Sequence, residues 1–100
     1  MKYNVRILTP ARQDLQESIQ WYDEQKKGLG KLFYTAVKAR ISYLKQNPLH
    51  YPVTYRDLHQ APAHRFPYQL HYQVDQDKKY VIILAITHTS RDPQLWKDRR

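Results

Sequence analysis

From the N-terminus, apolar Tyr3, Val5 and Ile7 alternate with polar Lys2, Asn4 and Arg6, the period-2 pattern of a strand with one buried face. Thr9-Pro10 then reads as a helix start, with Thr9 as the cap and Pro10 where a missing N–H costs no intrahelical bond. Ala11, Leu15, Ile19 and Tyr22 recur at helical spacing. Asp14 and Glu17, in the first helical turns, are read as compensating the positive end of the helix dipole. Lys26-Lys27-Gly28 breaks the pattern. A second helix is expected from about Leu29 to Gln46, with Leu29, Phe33, Ala36, Val37, Arg40, Ile41 and Leu44 as its stripe. Asn47-Pro48 ends it, because proline disfavours helical geometry in the residue before it. So short a break folds the helices into an antiparallel hairpin.

Beyond residue 49 the pattern turns to β. Pro48, Pro52, Pro62 and Pro67 divide this stretch into short pieces, with strands expected around 53–58 and 62–66. Tyr68, Leu70, Tyr72 and Val74 then alternate with Gln69, His71 and Gln73. Asp75 to Lys79 is a polar hairpin turn, and Tyr80 to Thr87 is the nearly continuous apolar run of a central strand. No repeat, low-complexity tract or linker interrupts the 100 residues, so one domain over 1–100 is expected. The order predicts an α+β fold: an N-terminal strand and an antiparallel two-helix hairpin, packed on one face of a mainly antiparallel sheet of four to five strands. Two helices cover one face only. The other is expected to stay open and polar, with Arg65, Gln69, His71 and Gln73 projecting from it by shared parity.

Charge sharpens this picture. Residues 25–56 carry Lys26, Lys27, Lys31, Lys38, Arg40, Lys45 and Arg56 and no acidic residue, out of a net +8 for the whole chain. Such a block attracts a polyanion, either nucleic acid or an acidic protein segment. The chain has no cysteine, which excludes disulfides, thiol nucleophiles and cysteine-bound zinc. No apolar run approaches the roughly 20 residues that span a bilayer, and the N-terminus lacks the apolar stretch of a secretory signal. A cytoplasmic protein without membrane association is expected.

Little in the sequence points to bound metal or cofactor. His50, His59 and His64 lie in a proline-punctuated stretch without the spacing of a metal site. Gly28 and Gly30 are the only glycines, too few for a phosphate-cradling loop. The chemistry-bearing side chains are instead Arg65, His71, His88 and Arg91. Arg65 reads as a phosphate or partner contact, with pairing to Asp57 as the structural alternative. His71 reads as a base on the open face, and His88 with Arg91 as a cluster closing the central strand. Trp96 reads either as a stacking or partner-binding residue or as a lock that holds the tail on the core.

Four landmarks now stand together. They are the opening helix with Ala11, Asp14, Leu15 and Tyr22; Gly28-Leu29-Gly30 with Phe33 and the Asn47-Pro48…Tyr51-Pro52 exit; Arg65-Phe66-Pro67-Tyr68 leading into Leu70-His71-Tyr72; and His88 with Arg91-Asp92-Pro93 and Trp96. In this order they resemble the RelE/ParE toxin superfamily, particularly its ParE-like, plasmid-stabilisation branch. The resemblance implies a small toxin held inactive by an acidic antitoxin. Some members of the superfamily cleave messenger RNA on the ribosome, and ParE members inhibit DNA gyrase. Cleavage through the 2′-hydroxyl needs a base, a cation facing the phosphorane and an acid, which Arg65, His71, His88 and Arg91 would have to supply. This chain carries Gln69 where RelE-type nucleases usually carry arginine, and a neutral amide does not replace a guanidinium facing phosphate.

The resemblance therefore implies inhibition by binding, with gyrase as target and Arg65, His88, Arg91 and Trp96 as contacts. The antitoxin is expected on Lys31, Lys38, Lys45, Gln69 and Gln73. A ribosome-dependent messenger RNA endonuclease is the alternative, and an interaction module without toxicity a third.

Overall fold

In the computed structural model, which describes residues 2–90 and 92–97, the chain runs β1 (Asn4–Ile7), α1 (Thr9–Gln25), α2 (Leu29–Gln46), β2 (Val53–Tyr55), β3 (Leu58–Pro62), β4 (Tyr68–Asp75), β5 (Tyr80–His88) and α3 (Gln94–Lys97). The five strands form one sheet in the order β1-β5-β4-β3-β2. β1 lies parallel to β5, and every other pair is antiparallel. The α+β layout expected from the sequence is the one observed, with five strands.

A single residue joins β1 to α1. Leu8 keeps extended geometry (φ −70°, ψ 155°) and donates its N–H to the Ile83 carbonyl at 3.0 Å, while its own carbonyl accepts from Arg12 at 3.0 Å. Leu8 is thus the cap, without a side-chain hydrogen bond, and Thr9 is already helical. That corrects the expected cap by one residue; the sheet contact, not a hydroxyl, fixes where the helix begins. Asp14 also differs from expectation. Its carboxylate accepts the Ile86 N–H at 3.0 Å, beyond the Ile7–Ile83 pair where β1 ends, and no acidic residue lies in the first turn. It serves a strand donor more than the helix dipole.

The helical hairpin turns on two glycines. Gly28 caps α2 at φ 90°, the left-handed region that suits a residue without Cβ. Gly30 has no room for a side chain, since a Cβ there would meet the Ile19 carbonyl and the Asp23 carboxylate. The same carboxylate accepts the Gly30 N–H at 2.7 Å, so α1 supplies the anionic cap that α2 lacks in its own sequence.

The proline-divided region departs from the expected strands. Tyr55 pairs with Leu58, which leaves Arg56-Asp57 as a two-residue turn in the middle of the expected 53–58 strand. The next strand is Leu58–Pro62 instead of 62–66, and the chain bends over residues 64–67. Pro62 and Pro67 cannot donate to a ladder: Pro62 is the last residue of β3, and one further bond, from the Ala63 N–H to the Tyr68 carbonyl at 2.9 Å, closes the pairing at the bend.

Tyr3, Ala11, Tyr22, Phe33, Val37, Leu44, Leu70, Tyr72, Val81, Ile83 and Ile86 form the core between helices and sheet. A second, smaller cluster of Leu58, Leu84, Ala85 and Trp96 occupies the opposite face. It arises from a bulge in β5: His71 pairs with Ala85 and Tyr72 with Ile83, so Leu84 and Ala85 turn to the same side. The face expected to be open and polar is therefore apolar at its centre and covered there by the tail.

Candidate functional site

The covered face is built around one stack. Trp96 is 7% exposed and lies on His71 at 3.8 Å between ring centroids and 20° between planes. His71 is itself only 1% exposed, and its Nε2 is 2.9 Å from the Thr87 hydroxyl. Tyr55 meets the edge of Trp96 at 5.9 Å. The open-face placement of His71 is thus corrected: the bulge makes an apolar seat, and stacking beneath an indole removes the imidazole from solvent. Trp96 holds the tail on the sheet, and in this arrangement its ring is spent on that contact.

Arg65 and His88 gather at one end of the β4–β5 pair. Tyr68 pairs with His88, their rings 5.2 Å apart and edge to face, and the Thr89 N–H donates to the Pro67 carbonyl at 2.9 Å. His88 Nδ1 accepts the Ser90 N–H at 3.0 Å and lies 2.8 Å from the Ser90 hydroxyl. The backbone donor fixes Nδ1 as acceptor, which puts the proton of the neutral ring on Nε2. Arg65 stands exposed in the 64–67 bend at φ 69°, left-handed geometry that costs an arginine about 1–2 kcal/mol. Phe66 beside it packs on Tyr22 and Phe33 at 5.0 and 5.2 Å, which anchors the bend to the core. Arg91 lies outside the described residues.

The residues expected to meet an antitoxin divide between two places. Lys31 and Lys38 are exposed on α2, Lys38 with its ammonium 5.4 Å from the Tyr34 ring centroid. Lys45 is half-buried, and its carbonyl accepts the Tyr3 N–H at 2.8 Å. Gln69 and Gln73 are half-buried on β4, where the Gln73 amide donates to Asp57 at 3.4 Å. Arg40, from the same basic block, is committed to the fold: its Nε donates to the Pro62 carbonyl at 2.7 Å, and its guanidinium lies over the rings of Tyr43 and Tyr51.

Two histidines outside these groups make local contacts. His59 Nδ1 donates to the Tyr51 carbonyl at 2.7 Å, and His50 Nδ1 is 2.9 Å from the Tyr43 hydroxyl. Tyr72 donates its hydroxyl to the Pro48 carbonyl at 3.0 Å, and burial pushes its phenol pKa well above the ordinary value. Burial, followed by the neighbouring Tyr68, raises that of Tyr22 as well.

One cluster has no counterpart in the sequence pattern. Arg56 and Lys97 both approach the Tyr55 ring, at 5.4 and 4.6 Å from its centroid. Only the polar Arg56-Asp57 pair between two short β runs hints at the turn, and nothing in the spacing announces that the tail returns to it.

A family model described as the ParE toxin of the type II toxin–antitoxin system parDE matches residues 5–93. No curated protein matches. Among solved structures, the chromosomal ParDE system of P. aeruginosa superimposes with a TM-score of 0.76 at 15% identity, covering 87% of this chain and 96% of that one. The toxin–antitoxin complex RelBE of Mycobacterium tuberculosis gives 0.63 at 25% identity, covering 88% and 99%. The isolated E. coli RelE toxin gives 0.66 at 15% identity, covering 96% and 94%.

Proposed function

From the premise that this chain belongs to the ParE toxin family of type II toxin–antitoxin systems, we propose that it arrests growth by binding DNA gyrase in the cytoplasm and is neutralised by an acidic antitoxin. The observation that carries the choice of binding over cleavage is the burial of His71 beneath Trp96. A base for RNA cleavage has to reach a 2′-hydroxyl, and an imidazole 1% exposed does not. Gln69 stands where a nuclease of this superfamily would place a guanidinium. A binding inhibitor needs neither group. Its target contacts are taken to be Arg65, His88 and Arg91, and the basic face of α2 is taken to steer the antitoxin.

A messenger RNA endonuclease is the second reading, favoured by one observation: Arg65 and His88 share one end of the β4–β5 pair. The two readings part experimentally. Purified protein should inhibit supercoiling by gyrase, and expressing cells should filament with intact messages. New cuts in translated messages by primer extension, with normal supercoiling, would reverse the order. Arg65→Ala and Arg91→Ala should each weaken arrest in a graded way and together abolish it, with folding kept. A single change that alone removes activity by about 10²–10³ would instead fit loss of a transition-state donor. A folded double variant as toxic as the parent would place the functional surface elsewhere.

A further inference from the structure

Two cations from separate parts of the chain converge on Tyr55. Arg56 comes from the β2–β3 turn and Lys97 from α3, and both charges lie within 5.4 Å of one ring centroid. Lys97 is also 5.9 Å from the Trp96 ring. The π-electrons of the Tyr55 ring attract each of them. Asp57, next to Arg56, turns its carboxylate to the Gln73 amide at 3.4 Å.

The backbone supplies an independent observation. Arg56 occupies the first position of a two-residue hairpin turn at φ 53°. That geometry favours glycine, asparagine or aspartate. An arginine here holds a cation in place against local backbone preference, and strain of this kind collects at binding sites.

We propose that Arg56 and Lys97, seated on Tyr55, form a binding site for a phosphate group. A phosphate carries more charge than a carboxylate and has three acceptor oxygens, enough to engage a planar guanidinium fork and an ammonium together. A carboxylate's two oxygens are satisfied by the fork alone. The Tyr55 ring is taken by the cations, so the site reads the phosphate without regard to any base attached to it. The occupant also joins the β2–β3 turn to the tail that Trp96 holds down. Binding therefore tightens the tail on the sheet, and docking of the tail completes the site.

The test uses the full chain with Trp21→Phe, which leaves Trp96 as the sole tryptophan reporter. Inorganic pyrophosphate is titrated at constant ionic strength and followed by Trp96 fluorescence and calorimetry. The expected result is saturable one-to-one binding. Arg56→Asn should weaken it about tenfold or more, as expected for loss of a charge-assisted contact, while the melting temperature is kept or raised. Lys97→Gln should weaken binding similarly, and Lys31→Gln with Lys38→Gln should leave it unchanged. A single-stranded oligonucleotide that competes better than pyrophosphate identifies a nucleic-acid backbone as the source, and one that competes less well identifies a free phosphate compound. Equal weakening by the α2 lysines, or no saturation, overturns the proposal in favour of diffuse attraction. Lower stability of Arg56→Asn with unchanged binding overturns it in favour of a structural arginine. Tighter binding of hexaglutamate than of pyrophosphate overturns it in favour of an acidic protein segment. None of these readouts depends on growth arrest, so the proposal stands or falls apart from the choice of target.

Discussion

Replacing Trp96 by alanine measures how firmly the tail is fastened. In a closed core, removing a large aromatic costs about 3–5 kcal/mol. Trp96 is 7% exposed but sits in a four-residue helix whose main neighbour in the fold is β5, so the segment can detach and recover conformational entropy instead of leaving a cavity. That recovery offsets part of the loss. The stack on His71 at 3.8 Å adds about 0.5–1.5 kcal/mol beyond area burial. A net cost of about 1–3 kcal/mol follows, and at about 4–8 °C per kcal/mol for a domain of this size the melting temperature should drop accordingly. Urea unfolding of Trp96→Ala and of a chain ending at Pro93 would check it. The two should agree, since Trp96 is the tail's principal anchor. A double-mutant cycle with His71→Ala should return a coupling of about 0.5–1.5 kcal/mol. A Trp96→Ala protein within about 0.5 kcal/mol of the parent would refute the reasoning, since that is how an exposed residue behaves.

Other changes test other joints. Gly30→Ala should cost about 1–3 kcal/mol by chemical denaturation, because the new Cβ meets the Ile19 carbonyl and the Asp23 carboxylate; a neutral effect would mean the helices separate freely. The raised phenols of Tyr22 and Tyr72 keep their protons to higher pH than in the unfolded chain, so their stabilisation is complete below about pH 10 and lost as pH rises above it. Tyr72→Phe should flatten that alkaline limb while costing about 1 kcal/mol at neutral pH, where the Pro48 carbonyl loses its donor; an unchanged limb would assign the loss to other groups. Replacing Lys31, Lys38 and Lys45 together by Gln should flatten the salt dependence of antitoxin association, as the Debye length shortens from about 30 Å at 0.01 M to about 8 Å at 0.15 M. An unaltered slope in stopped-flow measurements would remove these lysines from recognition.

What the sequence made legible follows the strength of its periodicity. The stripe from Leu29 to Leu44, the glycine at position 28 and the Tyr68–Val74 alternation each state a local rule, and the structure obeys them. Strand limits between the prolines were not legible, because a two-residue turn at Arg56-Asp57 carries none of the usual glycine signal. The placement of His71 failed for a different reason. Alternation located its side of the sheet correctly, but what covers that side depends on a bulge at Leu84–Ala85 and on a tail that returns across the sheet. Both are long-range events that leave no mark in local spacing. Asp14 shows the same limit, since its partner is 72 positions away at Ile86.

The parallel pairing of β1 with β5 has a consequence for how the chain comes into being. Asn4 to Ile7 are synthesised well ahead of their partners, Tyr80 to Ile83. The helical hairpin and the β2–β3 turn are local and form early, whereas β1 has no neighbour until β5 exists. A nascent chain that stops before residue 80 has a first strand without a ladder and a helical hairpin without β5, the strand against which α1 packs. The folded surface, with whatever it binds, is therefore complete only once β5 has been made, not by degrees.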